Sequence, residues 1–169
     1  MVKIYNLIYL LAFSSFLMIS CNYRENNLTR DEIETIEKEV LAEFAKFESS
    51  LSNGDLETIS KYYSEDPRFF WVENGSIAYP SGEAARSSIK SFYPSLKSME
   101  FNSLDKKVTP INDSNVMFYV EYEQVLVFSS DQKIDINGAM TILMKKENEE
   151  WKFIIGHSSG KNENQNQSE

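Results

Sequence analysis

An α+β fold is predicted by three observations. Apolar residues recur at three- and four-residue steps through residues 33–51, the pattern of one helical face. An Asn74-Gly75 pair stands between two short alternating runs and marks a two-residue hairpin. From Met99 onward the period changes to two and holds through four long segments joined by short polar links. Helices first and an antiparallel meander afterwards is an α+β order.

The elements follow in turn. Thr29-Arg30-Asp31-Glu32 has the form of a capping box, with Thr at the cap and Glu three later. Ile33, Ile36, Val40, Phe44, Phe47 and Leu51 then make the apolar stripe, and Asn53-Gly54 stops it. The charged run Asp31–Glu39 is the solvated face of that helix. Asp55 caps a shorter helix carrying Leu56, Ile59 and Tyr62 or Tyr63. Pro67 ends the helical region, and Arg68–Glu73 with Ser76–Tyr79 form the hairpin. Ser81 caps a third helix to about Tyr93, with Ile89 and Phe92 inward and Pro94 disrupting its end. The long strands are Met99–Pro110, Asn115–Ser129, Lys133–Lys146 and Trp151–Ser159. The folded domain therefore spans 31–159. Residues 160–169 carry no apolar side chain and read as a disordered tail.

Ahead of the domain, Lys3 precedes an apolar run that ends at Cys21, the only cysteine. A positive start, an apolar centre and small residues at the end describe an export signal. Leu17-Met18-Ile19-Ser20-Cys21 resembles the lipobox of bacterial lipoproteins. The resemblance implies a signal peptide over 1–20, removed in the mature chain, and an acylated Cys21. It also implies a tether over 21–30, membrane attachment through the lipid and a place in the bacterial cell envelope. Outer membrane is the expectation for a diderm bacterium. Without residues 1–20 the chain has sixteen Lys and Arg against 26 Asp and Glu. That balance excludes nucleic acid as partner, since such binding rests on cationic neutralisation of phosphate. One His and one Cys cannot build a His/Cys metal cluster, and there is no glycine-rich phosphate loop or serine nucleophile elbow. No metal and no cofactor are expected.

Three further features carry a family resemblance over residues 31–159. The first is Asn53-Gly54-Asp55 after a long opening helix, followed by Tyr62-Tyr63-Ser64-Glu65-Asp66. The second is Gly82-Glu83-Ala84-Ala85 after the hairpin. The third is the ending Trp151-Lys152-Phe153-Ile154-Ile155-Gly156-His157-Ser158-Ser159. Together they resemble the nuclear transport factor 2-like superfamily, with its SnoaL-like polyketide cyclases and ketosteroid isomerases. The resemblance implies N-terminal helices packed on a strongly curved, mostly antiparallel sheet. Sheet and helices would form a cone with a pocket at its open end.

Strand alternation then nominates pocket residues. In the last strand Trp151, Phe153, Ile155 and His157 share a side, which places His157, the only histidine, inward as an acid–base candidate. Phe118, Val120, Tyr122, Gln124 and Leu126 share another inward face. Tyr122 and Gln124 would give an apolar wall two polar groups for a ligand. Glu121 and Glu123, beside Tyr119, fall on the opposite, solvated face. Trp71 reads as pocket wall, Phe153 as its neighbour and Tyr79 as the entrance. The resemblance adds Asp66, because ketosteroid isomerases have a proton-abstracting Asp nearby. Their oxyanion-stabilising Tyr has no counterpart, since the first helix carries Phe44 and Phe47 and no tyrosine.

Two functions of different class follow. One is a lipid-anchored domain binding a small, largely apolar molecule. The other is an isomerase-, cyclase- or dehydratase-type enzyme, with His157 as acid–base and Tyr122 as electrophilic partner. The resemblance also implies a homodimer formed through the sheet.

Overall fold

Helix α1, Arg30–Asn53, starts and stops where its caps dictate. The computed structural model describes residues 28–162. Thr29 Oγ1 accepts from the Glu32 N–H at 3.3 Å, and a Glu32 carboxylate oxygen accepts from the Thr29 N–H at 2.7 Å. Gly54, at φ 66°, closes the other end with its N–H on the Leu51 carbonyl. Thr29→Ala removes half of this reciprocal cap. It should cost about 1 kcal/mol, read as a lower urea midpoint at unchanged slope.

Helix α2, Leu56–Lys61, is capped by Asp55, and α3, Gly82–Phe92, by Ser81. A single 3₁₀ turn, Tyr93–Ser95, carries the chain from α3 into the sheet. The strands are β1 Phe70–Glu73, β2 Ser76–Tyr79, β3 Leu96–Asn112, β4 Asn115–Phe128, β5 Lys133–Glu147 and β6 Glu150–Asn162. Asn74 and Gly75 both take positive φ, 48° and 85°, as a type I′ hairpin turn requires.

The six strands form one sheet in the order β2-β1-β6-β5-β4-β3. Strands β3 to β6 are the expected antiparallel meander. Strand β1 pairs parallel to β6, so the sheet is mixed. Register shifts interrupt the β3–β4 and β5–β6 ladders, and such bulges bend and twist a strand. The sheet curls without closing and wraps α1. Phe44 and Phe47 of α1 enter the concave face, with ring centroids 4.5 Å from Phe118 and 4.9 Å from Phe153 respectively. Val40, Ile59, Trp71, Val116, Val120, Ile142, Met144 and Trp151 complete a single core.

The structure differs from expectation in places. Strand β6 runs on to Asn162, because Gly160 to Asn162 still pair with Gly138 to Ile136; these residues are strand, not tail. Phe92 is 38% exposed rather than inward, because α3 ends there at the rim, against Phe128. The Cys21 motif, residues 22–27 of the tether and residues 163–169 lie outside the described residues. No helix among the described residues is long and apolar enough to cross a membrane.

Candidate functional site

Every layer of the fold contributes to one cavity of about 160 Å³ in the concave face. Helix α1 supplies Phe47 and Leu51, α3 supplies Ile89, β3 supplies Phe101 and β5 supplies Met140. Four further rings, Tyr63, Trp71, Tyr79 and Tyr122, stand around these apolar groups. The Tyr63 and Trp71 centroids are 6.2 Å apart and inclined at 59°. Phe101 stacks on Tyr122 at 4.9 Å. Three non-aromatic polar side chains reach the same space: Glu73, Gln124 and Ser158. A mostly apolar concavity with a few convergent polar groups is the usual form of a small-molecule site, although this one is small for the class.

Trp71, Tyr79, Tyr122 and Gln124, each nominated from strand alternation or position, are brought together here. His157 is not. It is exposed on the convex face and lies outside the cavity lining. The cause is a bulge. Phe153 pairs with Met144 but Ile155 pairs with Leu143, so Ile154 is an extra residue. Simple alternation holds up to Phe153 and inverts after it. Ile155 and His157 turn outward, while Gly156 and Ser158 turn inward. Gly156 lies against the Trp71 ring, where a Cβ would fall 2.1 Å from two ring carbons. Ser158 Oγ accepts a hydrogen bond from Trp71 Nε1 at 3.1 Å.

Two other nominated residues also fall elsewhere. Phe153 is wholly buried among Phe47, Tyr62, Tyr63 and Trp71, so it underlies the cavity without lining it. Asp66 sits outside, in the Pro67 turn, with Arg68 at 2.6 Å and Lys145 at 3.3 Å. The Arg68 guanidinium and N–H, then Lys145, hold its carboxyl far below the usual carboxylate range. Such a carboxylate is a poor proton acceptor.

Glu73 was missed, although it shares the parity of Trp71. Its register partner is Ser158, one inward pair beyond Trp71 and Gly156. Burial pushes its carboxyl above the ordinary carboxylate range. Burial also raises the Tyr63 and Tyr122 phenols, the latter with a smaller push from the Glu73 charge. Both phenols are therefore neutral donors. Tyr63 is placed by its backbone bridge to Phe153, flanked by Phe153 N–H to Tyr62 C=O at 2.7 Å and Ser64 N–H to Phe153 C=O at 3.1 Å.

A larger open groove, about 710 Å³, runs outside the cone between α2, α3 and the β5–β6 turn. Its charges are mostly neutralised locally: Lys61 pairs with Glu57, Lys152 with Glu150, and Arg86 with Glu65 and the Tyr63 carbonyl. The inner cavity, with its converging rings, is the better ligand site. No group of three or more His, Cys, Asp or Glu among the described residues is placed to hold a metal.

The chain belongs to the SnoaL-like domain family, whose profile matches residues 38–161. The fold is shared with proteins of very different sequence. A provisionally named scytalone dehydratase from Novosphingobium aromaticivorans superposes with TM-score 0.71 at 9% identity, over 79% of this chain and 89% of that one. The hexachlorocyclohexane dehydrochlorinase LinA-type3 from Novosphingobium barchaimii gives 0.65 at 11% identity, over 78% and 90%. An NTF-2-like protein of unknown function from Shewanella oneidensis gives 0.59 at 19%, over 73% and 98%. No curated protein matches the chain.

Proposed function

We propose that this chain is a lipid-anchored cell-envelope domain that binds a small, largely apolar molecule in its cone cavity. The ring-lined cavity around Trp71, Tyr79 and Tyr122 carries this reading. Fold neighbours named for dehydratase and dehydrochlorinase reactions support a small-molecule reading of the cavity. Acylation of Cys21 would supply the membrane attachment. Each buried methylene of an acyl chain contributes roughly 0.8 kcal/mol, so more than one chain anchors stably.

An enzymatic reading keeps one observation in its favour. Glu73 is a half-buried carboxyl in the cavity with a raised pKa, the property a general base uses near neutrality. His157 cannot serve from the convex face. Tyr122 keeps the position of an electrophilic partner.

The pocket is tested with p-cresol as probe, by calorimetry. Ile89→Trp fills the cavity from the helix side and should weaken binding by about tenfold or more, in the range a few lost methylene-sized contacts give. His157→Gln should leave affinity within about twofold, as a surface change does. Equal loss in both variants, or none in Ile89→Trp, would place the probe elsewhere. The anchor is tested by fractionation: Cys21→Ala should lower the share of protein in the membrane fraction, whereas unchanged retention as an uncleaved precursor would mark a spanning helix instead. Metabolic labelling with an acyl-chain analogue should mark the wild type alone. A wild type that takes no label is not a lipoprotein.

A further inference from the structure

Four partly buried carboxylates elsewhere in this domain have a cation. Glu48 has Lys106 at 2.9 Å, Glu43 has Lys46 at 2.8 Å, and Glu147 has Lys145 at 3.4 Å. Asp66 has both Arg68 and Lys145. Glu37 on α1 and Glu73 on β1 have none among the described residues, and of the two only Glu73 lines the cavity. It is half-buried, and no cation or hydrogen-bond donor among the described residues meets its carboxylate. A carboxylate drawn partly out of water without a partner lowers stability. Here the cost falls at the wall of the ligand cavity.

The rest of the wall has the same electrostatic sense. The rings of Tyr63, Trp71, Tyr79, Phe101 and Tyr122 line the space, and aromatic rings attract cations through their negative faces. No Lys, Arg or His lines it. Among the described residues the hydroxyls of Tyr63, Tyr79 and Tyr122 meet no hydrogen-bond partner, so their oxygens are free to accept. A volume of about 160 Å³ admits a compact group. The chain's net charge of −9 draws cations toward it.

We propose that the cone cavity selects a compact organic cation: an alkyl- or quaternary ammonium head on a small apolar body, held by Glu73 and an aromatic cage. This rests on the pocket-binding reading above and specifies its ligand class. The ammonium supplies the charge that Glu73 lacks, and the rings replace its hydration shell. Affinity should fall as pH drops through the Glu73 pKa, because a protonated carboxyl no longer pairs with the cation. The other titratable groups facing Glu73 are the phenols of Tyr63, Tyr79 and Tyr122. Helices α1 and α3 and strands β3, β5 and β6 contribute no charged group to the cavity.

The test uses the full chain in a non-ionic detergent at fixed ionic strength. Choline is titrated by calorimetry beside its uncharged isostere, in which carbon replaces the ammonium nitrogen. Choline should bind about tenfold or more tightly than the isostere, as a partly desolvated cation–π and ion-pair site requires. Glu73→Gln should reduce that preference to within about threefold while isostere binding persists. Relief of an unpaired charge means the variant should melt no lower than wild type, so lost binding cannot be ascribed to unfolding. Isostere binding as tight as choline binding overturns the proposal, as does a preference that survives Glu73→Gln. Binding of p-cresol without choline overturns the cation and leaves the pocket. Saturable binding of none of the three removes both.

Discussion

Phe153→Ala should destabilise the domain by about 3–5 kcal/mol, the range for truncating a wholly buried aromatic. The ring is inaccessible to solvent and touches four other rings. It meets Phe47 edge-on at 4.9 Å, Tyr62 stacked at 5.5 Å, Tyr63 edge-on at 5.7 Å and Trp71 at 6.1 Å. These come from α1, the α2–β1 connection and β1. No single neighbour can move in to fill the space without leaving another contact. Phe153 also lies where the chain stitches Tyr62 and Ser64 to β6 through its own N–H and C=O. The loss is a large part of the roughly 5–15 kcal/mol that holds a domain of this kind. Urea unfolding would show a much lower midpoint at unchanged slope. Phe153→Leu should cost clearly less, because it leaves a smaller void. A cost under about 1.5 kcal/mol for the alanine would mean that the rings repack around the gap.

Local chemistry made much of this fold legible. The capping box, the apolar stripe and Gly54 define α1 within one turn of the chain, and α1 is found where they put it. The same holds for Asn74-Gly75 and for the inward face of β4, where Phe118, Val120 and Tyr122 are buried and Glu121 and Glu123 exposed. Non-local pairing was not legible. The parallel match of Phe70 with Ile155 joins residues far apart in sequence, and neither segment carries a signal for the other. Tyr62 and Tyr63 could not be told apart by periodicity, because α2 ends at Lys61, just before both. In the structure Tyr62 turns toward α1, its hydroxyl on Glu43 at 2.9 Å, while Tyr63 enters the cavity. Glu73 was visible as a neighbour of Trp71 on an alternating strand. What marks it is the missing counter-charge, and that is a property of the assembled wall. The His157 assignment failed at one residue. An extra Ile154 inverts a period-two reading, and nothing in Phe153-Ile154-Ile155 distinguishes the extra residue from its neighbours.

That inversion makes Gly156 the sharpest probe of the site. If alternation ran straight through β6, Gly156 would face solvent and Gly156→Val would be harmless, since glycine is a weak strand former and valine a strong one. With the bulge, the new side chain starts 2.1 Å from Trp71 ring carbons. The ring cannot yield cheaply. It is 5% exposed, packs on Phe153 and Tyr63, and donates its N–H to Ser158. Moving it sacrifices packing and a hydrogen bond together. Gly156→Val should therefore cost about 3 kcal/mol, the upper part of the usual range for overpacking a core. It should also shift the Trp71 emission and weaken p-cresol binding, because the displaced ring is a wall of the cavity. His157→Val, one residue on, gives the opposite expectation: an exposed strand position facing away from the cavity, with stability within about 0.5 kcal/mol of wild type and binding retained. A tolerated Gly156→Val beside a disruptive His157→Val would return His157 to the pocket and Gly156 to the surface. The bulge at Ile154, and the site built upon it, would then be wrong together.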